Sequence, residues 1–141
     1  MIVLDTNVVS EPLRAQPDPV VADWLDAQDP QTLFLPSICL AELLAGVEAL
    51  PEGRRRRTLE AALGEQLMAL FSGRILPFDE RAARAFAKVS AAAQATGNPI
   101  SFADAAIAAI AAANGCILAT RNVRDFRGTG VKLVDPWTAD A

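Results

Sequence analysis

Short apolar runs alternate along the chain with longer segments in which apolar residues recur every three or four positions. The short runs are bounded by proline, glycine or polar residues, as buried parallel strands usually are. They predict strands over residues 2–4, 33–35, 74–76, 116–120 and 131–134. Because such strands are apolar on both faces, helices are expected to cover the sheet on both sides.

Between the runs, the helical period predicts five helices. Apolar stripes mark the first three: Val20, Val21, Trp24 and Leu25; Leu40, Leu43, Leu44, Val47 and Leu50; Leu59, Leu63, Leu67 and Leu70. Ser37 is the predicted N-cap of the second helix, Asp79 of the fourth and Ser101 of the fifth. Gly97 and Gly115 are expected to close the last two helices.

Strands that alternate with helices of this length form βαβ units and therefore a parallel sheet. The chain has 141 residues, which suits one domain, since domains most often have ~100–150 residues. The predicted fold class is α/β: a single three-layer α/β/α domain with a mostly parallel sheet, spanning residues 1–141.

The chain contains no histidine. Ser-His-Asp and Cys-His triads, histidine acid–base catalysis and the usual histidine-rich zinc sites are therefore excluded. Any hydrolysis has to depend on carboxylates, which are ligands for hard metal ions.

The two cysteines, Cys39 and Cys116, lie far apart in apolar stretches. They are interpreted as buried residues in a reducing cytosol rather than as a zinc or redox site. The N-terminus lacks a signal peptide pattern, and the apolar run over 102–113 is too short to span a bilayer. A cytoplasmic protein with no membrane partner is expected.

The formal net charge is −4 and the pI about 4.8, so no overall field attracts nucleic acid to the surface. Two segments are nevertheless basic: the four arginines at 54–57, and residues 120–134. Each is more often a solvated face than a phosphate site, and both interpretations stay open.

Acidic and amide side chains follow the predicted strands at their carboxyl ends, where open α/β sheets bind ligands. Asp5 comes directly after the first strand, and Glu42 lies early in the helix after the second. Asp104 lies in the first turn of the helix before the fourth strand, and Asn122 and Asp125 follow that strand. All of them can converge on one edge of the sheet.

Each of these residues also has a plain structural explanation. Asp5 can cap the first helix, and Glu42 lies on the polar side of its helix. Asp104 stands three residues after Ser101 and can complete a capping pair, and Asp125 stands in the same relation to Asn122, where capping is the favoured interpretation. Asp104 is, however, the only charge over 102–114 and is expected to be half-buried and in need of a partner.

Taken together, clustered carboxylates without histidine are best explained as a Mg²⁺ or Mn²⁺ site. Asp5 and Asp104 are the predicted metal ligands, with Glu42 in direct or water-mediated contact. Their carboxylates are expected within about 4–8 Å of one another, the reach of one or two ions with bridging waters. Such ions activate water and stabilise the leaving oxygen of a phosphodiester.

Five segments, in this order and spacing, resemble PIN-domain proteins, specifically toxins of the VapC group close to its FitB-like members. The matching segments lie at residues 4–11, 41–43, 73–79, 103–108 and 119–122. The first reads Leu-Asp-Thr-Asn-Val-Val-Ser-Glu and the last Ala-Thr-Arg-Asn. The similarity extends over nearly the whole chain.

The resemblance implies a Mg²⁺-dependent endoribonuclease that is the toxin of a type II toxin–antitoxin pair and usually a homodimer. Its partners would be an RNA substrate and a cognate antitoxin, with DNA contacted only through the antitoxin. The family's acidic cluster corresponds to Asp5, Glu42 and Asp104, and its fourth acid to Asn122, which brings no charge. Thr6 and Thr120 would orient the carboxylates.

Three other functions begin from similar sequence features. A dehalogenase-type phosphatase needs a second aspartate two residues after the first, where this chain has Asn7, and a response-regulator receiver needs an N-terminal acidic pair and a late lysine that are not evident. The alternative that remains is a catalytically weak PIN-fold module that acts mainly through a DNA-binding antitoxin complex. Asn122 and the acidic pI favour it.

Overall fold

The computed structural model of the chain describes residues 1–138. The strands are β1 (Ile2–Leu4), β2 (Leu33–Pro36), β3 (Ile75–Leu76), β4 (Ile117–Ala119) and β5 (Leu133–Val134). The α-helices are α1 (Thr6–Ser10), α2 (Pro19–Asp26), α3 (Ser37–Glu48), α4 (Arg54–Ala61), α5 (Met68–Leu70), α6 (Glu80–Ala95), α7 (Phe102–Ala113) and α8 (Val123–Phe126). Short 3₁₀ turns lie at Glu11–Leu13 and Pro30–Thr32, and a π-helical segment, Ala62–Leu67, joins α4 to α5.

The strands form one sheet in the order β3-β2-β1-β4-β5, and every pair is parallel. The central strand β1 places Ile2 opposite Leu33 of β2 and Ile117 of β4. The chain extends from β1 to β3 on one side and then crosses to β4 and β5 on the other. Right-handed crossovers in opposite directions place helices on both faces of the sheet. The predicted α/β class with a parallel sheet is therefore confirmed.

Helix α7 lies at the centre of the core. Seven consecutive residues, from Ala105 to Ala111, are buried, which is the pattern of a helix surrounded by protein on all sides. Alanine side chains let neighbouring elements approach closely, and α7 packs extensively against α6 and contacts β4. Because the body of α7 is fixed in this way, its first turn has a fixed position at the carboxyl edge of the sheet.

The helix starts agree with the predicted caps at Asp79 and Ser101. The Asp79 carboxylate accepts a hydrogen bond from the Ala82 backbone N–H at 3.0 Å, and the Ser101 hydroxyl accepts one from the Asp104 N–H at 3.2 Å. The prediction for Ser37 was wrong, because Ser37 is already the first residue of α3 and Pro36 occupies the cap position without a side-chain hydrogen bond. Pro36 belongs to β2 and is extended, so the helix begins directly where the strand ends.

Two leucines predicted on the core stripes are exposed. In α3 the buried face consists of Cys39, Leu43 and Val47, and Leu44 is 46% exposed. Leu70 is 48% exposed. It follows the π-helical segment, which has more residues per turn than an α-helix. The side chains after this segment therefore point in other directions than a 3.6-residue period predicts. Within the described residues, no helix is long and apolar enough to cross a membrane.

The cap at Asp79 yields a stability prediction. Asp79→Ala removes the acceptor for an N-terminal amide of α6 and is expected to lower the free energy of unfolding by about 1 kcal/mol. Asp79→Asn keeps a capping oxygen and serves as the matched control, with a loss of a few tenths of a kcal/mol at most. Urea denaturation measures both, and equal losses in the two variants would show that the charge of Asp79 matters rather than its cap.

Candidate active site

The carboxyl ends of β1 and β4 lie side by side, with Leu4 opposite Ala119. The next residue of each strand continues the pairing, since the Asp5 backbone N–H donates to the Ala119 carbonyl oxygen at 2.9 Å. Strand order reverses at this point of the sheet, because β1 is followed in sequence by β2 on one side while β4 arrives from the other. Such a switch point is where open parallel sheets bind ligands.

Asp5 is a buried carboxylate that is held by neutral donors. It is only 4% exposed. One oxygen, Oδ1, accepts the Thr6 backbone N–H at 2.8 Å, and the other, Oδ2, accepts the Thr120 hydroxyl at 2.7 Å. Asp5 is thus the N-cap of α1, as the capping interpretation predicts. Its second oxygen is bonded to Thr120, the residue that follows β4. Within residues 1–138 no arginine or lysine forms an ion pair with it.

Glu42 is exposed on α3, as its place on the polar side of that helix predicts. Its Oε1 accepts a hydrogen bond from the Thr6 hydroxyl at 2.7 Å. Thr6 therefore binds two acidic residues at once: its backbone N–H contacts Asp5 and its hydroxyl contacts Glu42. The Cys39 thiol is buried next to Thr6. Burial raises the pKa of this thiol above its ordinary value.

Asp104 is half-buried in the first turn of α7, as predicted. Burial raises the pKa of its carboxyl, a hydrogen bond with Ser101 lowers it, and the charges of Asp125 and Glu42 raise it further, so that the net shift is upward. The pKa of Asp5 is also raised, first by burial and then by the charges of Asp104 and Glu42, against the lowering effect of its bonds to Thr120 and Thr6. Four carboxylates thus lie near one edge of the sheet: Asp104 is repelled by Asp5, Glu42 and Asp125, and Asp5 is also repelled by Glu42.

Asn122 joins the site through its backbone rather than through its side chain. Its N–H donates to the Thr120 hydroxyl at 3.0 Å, and that hydroxyl in turn donates to Asp5. Asn122 stands at the N-cap position of α8, but its side chain makes no capping hydrogen bond. The favoured capping interpretation of Asn122 with Asp125 is therefore wrong, and Asp125 instead adds negative charge near Asp104.

Sequence reasoning missed two further contacts at this edge. The Asn7 side chain links the segments that follow β1 and β4. Its Oδ1 accepts a hydrogen bond from the Arg121 backbone N–H at 3.3 Å, and its Nδ2 donates one to Asp5 Oδ2 at 3.5 Å. The Arg121 guanidinium lies over the Trp137 ring, 5.1 Å from the centroid. The position of Asn7 in the Asp-Thr-Asn segment could have indicated the first contact, whereas no sequence signal linked Trp137 to Arg121.

The arginine run at 54–57 is partly engaged in local contacts, and Arg55 lines a cavity together with Glu42. Arg56 forms ion pairs with Glu48 at 3.0 Å and with Glu60 at 2.7 Å. Arg55 donates a hydrogen bond to the Leu13 carbonyl oxygen at 3.1 Å. Two of the four arginines therefore serve the packing of α4 against neighbouring segments.

The donor set suits a hard divalent cation. Within residues 1–138 no group of three histidine, cysteine, aspartate or glutamate side chains is arranged to hold a metal ion. Mg²⁺, however, typically takes one or two protein carboxylates and keeps several waters. Asp5 and Asp104 could supply two such carboxylates. A cation between them would offset the repulsion that adds to the effect of burial in raising their pKa values.

The known proteins that this chain resembles in sequence and in structure point to the same family. The chain is 44% identical over 137 residues to "VapC ribonuclease Y4jK" from Sinorhizobium fredii, covering 97% of this chain and 98% of that protein. It is 42% identical over 137 residues to "Toxin FitB" from Neisseria gonorrhoeae, covering 97% and 99%. A solved structure described as FitAB bound to an IR36 DNA fragment superposes with a TM-score of 0.94 at 40% identity, covering 98% of this chain and 96% of that one.

The family assignment also follows directly from the sequence, since residues 2–132 match the PIN domain. That match includes β1 to β4 and the acidic edge around Asp5, so the likeness extends to the site as well as to the sheet. The chain belongs to the PIN-domain family.

Proposed function

We propose that this protein is the toxin of a type II toxin–antitoxin pair and cleaves RNA as a Mg²⁺-dependent endoribonuclease. The observation that carries the proposal is the acidic edge, where the charges of Asp104 and Glu42 act on a buried Asp5 that forms no ion pair with a described cationic residue. The names of the two relatives, a ribonuclease and a toxin, support the same activity.

In this proposal each residue has a distinct task. Asp5 and Asp104 hold the Mg²⁺ (Mn²⁺ can replace it), and Glu42 contacts it directly or through water. When bound, the ion supplies the positive charge that lowers the pKa of a water molecule and stabilises the leaving oxygen of the phosphodiester. Thr6 fixes Glu42 and Thr120 fixes Asp5, so that the carboxylates keep their orientation. Asn122 offers a neutral amide oxygen to water or to the RNA.

The partners follow from the same reasoning. A cognate antitoxin would block the acidic edge, and an arginine from it could pair with the carboxylates in place of the cation. DNA would be contacted only through the antitoxin, and the solved structure of FitAB bound to an IR36 DNA fragment supports DNA as a component of such complexes. We further propose a homodimer that acts in the cytoplasm, where its RNA substrate is available.

A second function is favoured by one specific observation. Asn122 brings no charge to a position close to Asp5, and the net charge of −4 opposes RNA binding. A catalytically weak PIN-fold module that works through its antitoxin complex would share both features. A Mg²⁺ titration combined with an RNA cleavage assay distinguishes the two, because a weak module yields no product that depends on both Mg²⁺ and Asp5.

Asp104→Asn separates the charge of this residue from its shape. The variant keeps the size of the side chain and the backbone bond to Ser101, but it removes a charge that a divalent cation needs. The apo protein is expected to be as stable as the wild type or more so, because repulsion among the carboxylates falls. RNA cleavage is expected to fall by several orders of magnitude, and Mg²⁺ should no longer raise the Tm.

The control for this experiment is Asp23→Asn, which makes the same chemical change at an exposed position of α2. It should keep both cleavage and the Mg²⁺-induced rise in Tm. A destabilised Asp104→Asn variant that still cleaves RNA would mean that Asp104 serves only as part of the helix start.

The raised pKa values of Asp5 and Asp104 predict a pH dependence. Their ordinary value is 3.8, and both are higher in the folded protein. The folded state therefore holds protons that the unfolded chain has released, so their contribution to stability is fully present below about pH 3.8 and is lost as the pH rises through the raised pKa values. Mg²⁺ binds the deprotonated carboxylates, so its stabilising effect should grow over the same range.

Thermal melts from acidic to neutral pH, with and without Mg²⁺, measure this dependence. The difference in Tm between wild type and Asp104→Asn at each pH separates the contribution of the site from that of the other carboxylates. A Mg²⁺-induced change in Tm that stays constant with pH would place the ion elsewhere on the protein.

Thr120→Val tests the buried hydroxyl that links Asp5 to Asn122. It leaves a buried carboxylate oxygen and a backbone N–H without a partner, and the expected loss is about 1–3 kcal/mol of unfolding free energy. Because the Thr120 bond lowers the pKa of Asp5, the acidic limb of the pH–rate profile should move to higher pH. Thr120→Ser restores the hydroxyl and should restore the profile, and an unchanged profile in the valine variant would remove Thr120 from the site.

A further inference from the structure

Three phenylalanines form an aromatic cluster beside the acidic edge. Phe78 follows β3 at the carboxyl end of the sheet, Phe86 lies on α6, and Phe102 is the first residue of α7. The chain has six phenylalanines, so half of them are gathered at this place. Phe102 lies two residues before Asp104, the predicted metal ligand.

Phe102 is held on one side and open on the other. Its ring centroid lies 5.1 Å from that of Phe86 and 6.3 Å from that of Phe78, while Phe78 and Phe86 meet edge to face at 6.0 Å. Such contacts fix a ring in place. Phe102 nevertheless remains 67% exposed, the most exposed of the large apolar residues in the described chain. Burying it would be favourable, yet the fold of the single chain leaves it exposed beside the site.

The charge of this edge limits what can hold an RNA strand there. The carboxylates around Asp5 repel phosphate, and the nearby Arg121 is stacked on Trp137. Stacking of a nucleobase on an aromatic ring depends little on charge and is worth ~1–3 kcal/mol per base. Bases in a duplex are already stacked and cannot reach such a ring, whereas unpaired bases can.

We propose that Phe102 is a stacking platform for one unpaired nucleobase next to the cleaved phosphodiester. This inference rests on the proposed ribonuclease function and adds a residue that positions its substrate. Phe102 is a binding and positioning residue in this scheme, because it orients the strand over Asp104 and takes no part in bond breaking.

The test compares Phe102→Leu with Phe102→Tyr. Leucine keeps an apolar side chain but has no aromatic face, whereas tyrosine keeps the face. With a short single-stranded RNA, Phe102→Leu is expected to raise KM about 5- to 150-fold, the equivalent of ~1–3 kcal/mol of stacking, with kcat little changed. Phe102→Tyr should behave like the wild type, and RNA annealed to its complement should be a poor substrate for all three proteins.

A set of RNAs that lack one base at each position in turn locates the contact. At one position the wild type and Phe102→Leu should bind equally weakly, and at all others the difference between them should persist. Fluorescence anisotropy with labelled RNA gives the same comparison as Kd, so the stacking contact is measured whether or not the protein cleaves.

Different failures point to different errors. Cleavage that does not depend on Asp104 contradicts the proposed function. Asp104-dependent cleavage with an unchanged KM and Kd in Phe102→Leu contradicts the stacking platform. A Phe102→Leu variant with a normal Tm but an altered oligomeric state by light scattering would also overturn it, because Phe102 would then belong to an interface between protein chains.

Discussion

The structure depends on one buried carboxylate at the point where two parallel strands end. Asp5 is fixed by the register of β1 against β4, which places Leu4 opposite Ala119 and directs the Thr120 hydroxyl to Asp5 Oδ2. Burial of an ionised carboxylate is costly unless charge or hydrogen bonds compensate. Here the compensation comes from neutral donors, which hold the group without neutralising it. These hydrogen bonds stabilise the buried Asp5 carboxylate but leave its negative charge in place, so the carboxylate still favours a cation.

The rest of the fold brings further negative charge to that position. Helix α7 is buried along most of its length, so its first turn cannot move away from the edge, and Asp104 is presented there from the opposite layer. Glu42 comes from α3 and is tied to the same centre by Thr6. Each acid arrives on a different element, and only the closed sheet makes them neighbours. Activity and global folding should therefore be lost together when the sheet opens.

Much of this could be predicted from sequence because the signals are local. The five apolar runs, the caps at Asp79 and Ser101, and the acids after the strands all depend on residues a few positions apart. The errors have equally specific causes. Ser37 is not the N-cap of α3 because Pro36, which is extended and belongs to β2, occupies that position. Leu70 is exposed because it follows a π-helical segment, which a 3.6-residue period does not predict.

The contacts in the site that local patterns did not predict are those between distant residues. Asn7 and Arg121 are 114 positions apart, and the role of Thr120, 115 positions from Asp5, came only from the family resemblance. A pattern of residue types can place each side chain at the carboxyl edge, but it contains no information on which hydroxyl or amide will face which oxygen. That choice depends on strand register and rotamers, and these are set by the packing of the whole core.

The neutral residue at position 122 shows how the site distributes its charge. The backbone N–H of residue 122 bonds the Thr120 hydroxyl, so an acid there would add charge close to the group that holds Asp5, whose pKa is already raised by burial and by two other charges. Asn122 avoids that added repulsion, while Asp125, one turn later and exposed, contributes negative charge near Asp104. An exposed carboxylate keeps its hydration and costs less to ionise than a buried one. Residues 122 and 125 are both exposed. The edge thus has a fourth negative charge near Asp104, while the residue that bonds the Thr120 hydroxyl stays neutral.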